Sequence, residues 1–158
     1  MSVYLAFTSP INPPGASPLL SHDQVWKGLQ RKVEHAEEFV PMAITSTDVL
    51  DKAIDETGKK VTTREVIFKD GNRKVKEICV HFEPLKIEFR QPDGTTIQNI
   101  ISQGADGSLY MTYAFEFLHP GLSEKDLAVK TEQYRVNSKM AVESSIAVIR
   151  KMVEEGTV

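Results

Sequence analysis

Arg64 and Glu77 are the residues of this chain best placed to do chemistry. They flank Asp70-Gly71. If that pair forms a two-residue turn, Phe68 faces Arg73, Val66 faces Val75, Arg64 faces Glu77 and Thr62 faces Cys79. An acid and a base then meet on the inner side of one hairpin. A desolvated Glu77 would act as general base or acid, and Arg64 or Tyr113 would stabilise an enolate oxygen as it develops. A close cation makes any carboxylate a weaker base, which counts against that role. The alternative is a cross-strand salt bridge that only closes the sheet.

Further polar residues fall on the same side. Gln98, Ser102 and Tyr113 lie along middle strands with Met111 beside them, and Thr131, Ser138 and Ser145 recur every seventh residue of a C-terminal helix that also carries Tyr134. Cys79 and His81 continue the alternation of Glu77, which sets His81 near one end of that face. In a filled core each such group costs about 1–3 kcal/mol if unpaired, whereas a cavity lets water or a ligand satisfy it. The expected ligand-lining set is therefore Gln98, Ser102, Met111, Thr131, Tyr134, Ser138, Cys79 and His81. The hydroxyls can instead bond back to helix carbonyls. Cys79 reads more simply as a small core residue than as a nucleophile, having no activating partner beyond His81. His22, His35, His81 and His119 lack metal-ligand spacing. Gly104-Ala105-Asp106-Gly107 is a hairpin turn and no phosphate loop, since no helix follows it. The expected chemistry uses no metal and no cofactor.

The elements that must position these residues follow from periodicity. Residues 3–8 read as a short apolar strand, ended by Ser9-Pro10 and a proline-rich loop. Ser21 with Gln24 forms a capping box ahead of helical spacing through Val25, Trp26, Leu29 and Val33. A second short helix follows through Phe39 until Pro41. From residue 44 to 119 the period changes to two. Strands at 44–54, 61–69, 73–83, 85–90, 95–103 and 108–119 are separated by turns at Thr57-Gly58, Asp70-Gly71, Pro92-Asp93-Gly94 and Asp106-Gly107. Such short connections force an antiparallel meander.

With a four-residue loop at 91–94 and a two-residue turn at 106–107, Leu85, Ile87 and Phe89 share a face with Thr96, Gln98 and Ile100. Leu109, Met111, Tyr113, Phe115 and Phe117 then join it. Ser123 starts a helix running to about Glu155, where Gly156 stops it. Leu127, Thr131, Tyr134, Ser138, Ala141, Val142, Ser145, Val148, Ile149 and Met152 form one face, with Lys125, Glu132, Lys139, Glu143, Arg150 and Glu154 opposite. No other helix is long enough to pair with it, so it must lie across a curved sheet.

Composition narrows the setting. A chain of 158 residues is one domain's length, residues 1–158. Nineteen Lys+Arg against 22 Asp+Glu, a net charge of −3, argues against nucleic acid as partner. One cysteine excludes an internal disulfide. No apolar run is long enough to span a bilayer and no secretory leader is visible, so a cytoplasmic protein without membrane attachment is expected. The expected partner is a small hydrophobic ligand, with a homodimer left open.

The order strand, two short helices, six-stranded meander and long C-terminal helix resembles the α+β helix-grip fold of START-like, or SRPBCC, proteins. That resemblance implies a seven-stranded curved antiparallel sheet gripped by the last helix over a hydrophobic cavity. More narrowly, residues 20–41 (LSHDQVWKGLQRKVEHAEEFVP), Thr63-Arg64-Glu65-Val66, Lys74-Val75-Lys76-Glu77 and Phe82-Glu83-Pro84 look like the AtaL-like branch, found in fungi and bacteria, with some members in fungal natural-product pathways. The superfamily holds carriers, receptors and polyketide cyclases, so the likeness carries fold further than chemistry. It brings no catalytic set; Arg64, Glu65 and Glu77 match the branch's recurring charged positions. Two functions are expected as alternatives: cofactor-independent cyclisation, isomerisation or dehydration of an apolar metabolite, or non-catalytic carriage of one.

Overall fold

A computed structural model describes all residues, Met1–Val158. Strand β1 (Ser2–Pro10) is followed by helices α1 (His22–Glu34) and α2 (Ala36–Phe39). Then come β2 (Ile44–Ile54), β3 (Lys60–Phe68), β4 (Arg73–Phe82), β5 (Lys86–Arg90), β6 (Thr96–Gln103), β7 (Leu109–Leu118) and helix α3 (Glu124–Glu154). The strands form one antiparallel sheet in the order β1-β7-β6-β5-β4-β3-β2. Six strands follow the chain as a meander, and β1 closes onto β7. This is the helix-grip architecture expected from the element order.

The helix ends are set by their caps. Ser21 Oγ accepts from the Gln24 amide at 3.2 Å while Gln24 Oε1 accepts from the Ser21 amide at 2.9 Å, completing the capping box. Ser123 Oγ accepts from the Asp126 amide at the start of α3. His35 both ends α1 and precedes α2.

The β3–β4 register is as expected: Arg64 pairs with Glu77, Val66 with Val75 and Thr62 with Cys79. Strand β6 differs by one residue. Both of its hairpins close with three-residue loops, where the Gln91 amide reaches the Thr95 carbonyl and the Gly104 amide reaches the Ser108 carbonyl. Gly94 (φ 93°) and Gly107 (φ 85°) occupy the left-handed bulge position, and Asp93 and Asp106 each accept from the amide two residues on. Asp-Gly therefore supplies a bulge here instead of a two-residue turn. Because the first loop is one residue shorter than expected and the second one residue longer, both pairings change parity, so the two expected registers agreed with one another while turning β6 inside out.

Ile97, Asn99 and Ile101 pair with Phe115, Tyr113 and Met111 on the inner face. Gln98 and Ser102, expected inside, lie on the outer face opposite Ala114 and Tyr110. Apolar patterning could not arbitrate, since isoleucines at 97, 100 and 101 occupy both faces.

The core lies between the sheet and the two longer helices. Trp26, Leu29, Val33 and Phe39 pack with Val142, Ile149 and Met152 against Ile87, Phe89, Ile101, Met111 and Tyr113. A Cβ at Gly28 would come within 2.5 Å of Ile149 Cγ1, so α1 and α3 touch at a position only glycine allows without movement. Arg150, placed on the outer face by periodicity, donates to the Ile11 and Pro18 carbonyls and ties the proline-rich loop to α3. The two halves of α3 differ. Ser138, Val142, Ser145, Ile146, Ile149 and Met152 are buried, all from the middle of the helix onward, whereas Leu127, Thr131 and Tyr134 are only half-buried. Helix α3 is thus packed more deeply toward its C-terminal end.

Candidate functional site

Adjacent positions on β3 and β4 bring Arg64 and Glu77 together at 3% and 1% exposure. Arg64 Nε and Nη2 both donate to Glu77 Oε1, at 3.1 and 2.8 Å. Arg64 Nη1 donates to the carbonyls of Lys32 (3.0 Å) and Val33 (2.9 Å), which belong to the last turn of α1. Those carbonyls have no helical partner, and a cation there also meets the negative end of the helix dipole. Four of the guanidinium's five donors are therefore engaged. Its plane lies over the Phe89 ring at 4.7 Å. Gln91 Nε2 donates to Glu77 Oε2 at 2.9 Å from the half-buried start of the β5–β6 loop. Arg64 is first of all a clamp between sheet and α1.

A second ionisable group stands beside this clamp. Lys32 is buried, and its Nζ donates to Asn99 Oδ1 at 2.7 Å while lying 4.4 Å from the centre of the Tyr113 ring and 5.4 Å from that of Phe89. Burial, reinforced by Arg64 and partly offset by Glu77, pulls the ammonium down to about 7. Asn99 Nδ2, the Tyr113 hydroxyl and Ser145 Oγ are buried with no partner in good hydrogen-bonding geometry; the two hydroxyls are neighbours, and Ser145 lies close enough to oppose in part the effect of burial on the Tyr113 phenol. Burial also pushes the Tyr113 phenol up, so it is a proton donor rather than a phenolate. The interior at this point thus holds an amine, an amide and two hydroxyls with unmet hydrogen-bonding capacity.

Lys32 and Asn99 were not among the residues expected from sequence. A signal existed for the lysine: Val25, Leu29, Lys32 and Ala36 follow the i, i+4, i+7, i+11 stripe of one helix face. Asn99 was hidden by the one-residue displacement of β6.

The remaining expected residues divide. Gln98 accepts from Lys86 Nζ at 3.1 Å on the outer face, and Ser102 lies there too; neither reaches the interior. Met111 is buried in the core. The hydroxyls of Thr131 and Ser138 donate to the Leu127 and Arg135 carbonyls of their own helix, the alternative expected for them. Tyr134 stacks on Phe117 at 4.0 Å and meets His119 Nε2 through its hydroxyl at 2.7 Å. Phe115 stacks on Phe117, and Tyr113 meets Phe115 edge-on, so an aromatic run leads from the half-buried N-terminal half of α3 to Lys32.

Cys79 is fully buried, and burial pushes its thiol up to about 12, which leaves it unreactive. His81 faces inward, with Nε2 3.3 Å from Thr62 Oγ1, its Nδ1 unpartnered and its ring edge-on to Trp26. Burial lowers its proton affinity. It borders a concavity of about 470 Å³ between Thr57, Lys60 and Glu83. A second concavity, about 540 Å³, runs between Leu5 and Phe7 of β1 and Arg135 and Ser138 of α3. No group of three or more His, Cys, Asp or Glu side chains is arranged to hold a metal. No helix is long and apolar enough to cross a membrane.

Comparison with known folds agrees with this architecture. The structure of Ara h 8.0201 superposes with a TM-score of 0.57 at 11% identity, over 98% of this chain and 99% of that one. The di-domain ARO/CYC StfQ from the steffimycin biosynthetic pathway gives 0.62 at 14% identity, over 96% of this chain but 52% of that protein. This chain therefore spans about half of StfQ. Protein SA2116 of unknown function from Staphylococcus aureus gives 0.59 at 10% identity, over 98% and 97%. Identities this low establish the START/Bet v1-like helix-grip fold and leave function open. No curated protein sequence matches. The sequence model that does match spans residues 5–156, nearly the whole chain, and by it this protein belongs to the AtaL family, described as acetylaranotin biosynthesis cluster protein L.

Proposed function

We propose that this protein binds a small hydrophobic metabolite bearing at least one oxygen, and catalyses its cyclisation, isomerisation or dehydration without a cofactor. The observation that carries this reading is the group of buried polar atoms without protein partners, Asn99 Nδ2, the Tyr113 hydroxyl and Ser145 Oγ, at the inner end of the aromatic run. Apolar surroundings with a few convergent polar groups suit such a ligand. Membership of a family described by a biosynthesis cluster, and a fold shared with an ARO/CYC protein, point the same way.

In this reading the metabolite enters under the N-terminal half of α3, past Tyr134. Glu77, released from Gln91, takes a proton from carbon next to a carbonyl. Tyr113 donates to the oxygen on which charge develops, and Arg64 holds Glu77 in place. Mass spectrometry of the ligand that co-purifies identifies the metabolite. Glu77→Gln, assayed where circular dichroism shows it folded, should then abolish turnover and leave affinity within a few-fold. Unchanged product formation would remove Glu77 from the mechanism. The carrier reading draws on a different observation, the engagement of four Arg64 donors in structural bonds. It expects no product with any bound metabolite.

A further inference from the structure

We propose that Lys32 is a nucleophilic amine that captures a carbonyl group of the bound ligand as an imine, with the Tyr113 hydroxyl and the Asn99 amide holding the carbonyl oxygen. The inference rests on the ligand site described above and adds to it the functional group that the ligand must carry.

Three features of the geometry support it. First, a lysine end is sealed in the interior with one side-chain hydrogen-bond partner, Asn99 Oδ1, although an ammonium has three donors. Second, the same asparagine directs an unpartnered Nδ2 into the protein, and Tyr113, over whose ring Nζ sits, has an unpartnered hydroxyl at that ring's edge. Asn99 and Tyr113 stand directly opposite one another on β6 and β7, which sets both donors on the side of the sheet that Lys32 faces. Third, the ion pair next door is already complete, because Glu77 receives Arg64 and Gln91. Lys32 is therefore not needed to neutralise a carboxylate. The groups facing it are Arg64, Glu77 and the thiol of Cys79; burial and Arg64 draw the proton off, Glu77 and Cys79 oppose them, and the balance leaves the amine about half neutral near pH 7.

The step balances without an added reagent. The neutral amine attacks the carbonyl carbon, and a proton moves from nitrogen to the oxygen, which Tyr113 and Asn99 hold. The carbinolamine then loses that oxygen as water, forming the C=N bond, and water later reverses the sequence. An imine makes neighbouring C–H bonds more acidic, which is the activation that cyclisation or dehydration requires. Phe117 lies four residues along β7 from Tyr113, so a ligand entering beside Tyr134 travels roughly 13 Å to reach the amine.

The test is reductive trapping of the intact protein at pH about 7 with 3-phenylpropanal and sodium cyanoborohydride. Peptide mapping locates the resulting secondary amine, and quenching of Trp26 fluorescence reports binding of the aldehyde alone. An amine near 7 is about half neutral at that pH, against less than one part in a thousand for an ordinary lysine. Lys32 should therefore be modified more than about tenfold faster than any other lysine, even after allowance for restricted access. Tyr113→Phe should slow the labelling several-fold. Binding with label spread over surface lysines, or with none at Lys32, would overturn the imine and leave the ligand site standing. Absence of both binding and Lys32 labelling would overturn the imine and the binding reading together.

Discussion

Replacing Lys32 by methionine should remove a contribution that makes the native state favour high pH. The folded ammonium is held near 7, against about 10.4 in an unfolded chain. Between those values the unfolded chain keeps the proton and the folded chain does not. Stability therefore rises with pH across that window, by up to about 1.4 kcal/mol per pH unit, and below it both states are charged and the cost of burial is fully felt. Methionine keeps the volume of the stem and cannot titrate. It leaves Asn99 Oδ1 unpaired, at about 1–3 kcal/mol, at every pH. Urea denaturation of both proteins from pH about 6 to 9.5 separates the two effects. The difference in unfolding free energy, wild type minus variant, should climb by about 3 kcal/mol between pH 7 and 9.5. Stopping there keeps the Tyr113 phenol protonated, since burial pushes it up. Cys79 is common to both proteins and cancels. A difference that does not change with pH would refute the reasoning, because it would mean that Lys32 titrates alike in both states and is not a desolvated ammonium.

Other consequences concern the clamp, the helix contact and the entrance. Arg64→Met and Glu77→Leu should each cost about 3–5 kcal/mol, because each strands a buried partner; the two together should cost well under the sum in a denaturation cycle. Gly28→Ala gains helix propensity but drives a methyl into Ile149, so a net loss of about 1–2 kcal/mol is expected, read as a lower Tm. Tyr134→Ala should weaken binding of the co-purified metabolite at least several-fold while changing stability little, since Tyr134 is half-buried and joined to the body through Phe117 and His119. Calorimetry and thermal melts on the same variant distinguish those effects.

Much of the architecture was legible because it follows from local chemistry. Ser21 with Gln24, Pro84 after a strand, Ser123 ahead of an amphipathic run and a series of Asp-Gly turns fix where elements start and stop, and short connections leave only an antiparallel meander. The Arg64–Glu77 pair was legible for the same reason, being set by one local hairpin. The inner face of β6 was not. TIQNIISQ carries apolar residues on both faces, so its orientation depends on one residue in each of two loops, and that residue moved Asn99 in and Gln98 out.

What the sequence determined by itself, then, is whatever depends on neighbours a few residues apart: the caps, the strand periods, the hairpin opposition of Arg64 and Glu77. Only the tertiary structure decided that Arg64 would cap α1, that Lys32 would lose its water, and that Asn99 and Tyr113 would meet it across the sheet. Desolvation is the physical reason. It is a property of everything packed around a group, and the residues surrounding Lys32 come from β3, β4, β5, β6 and β7, brought together by long-range pairing that no local pattern encodes.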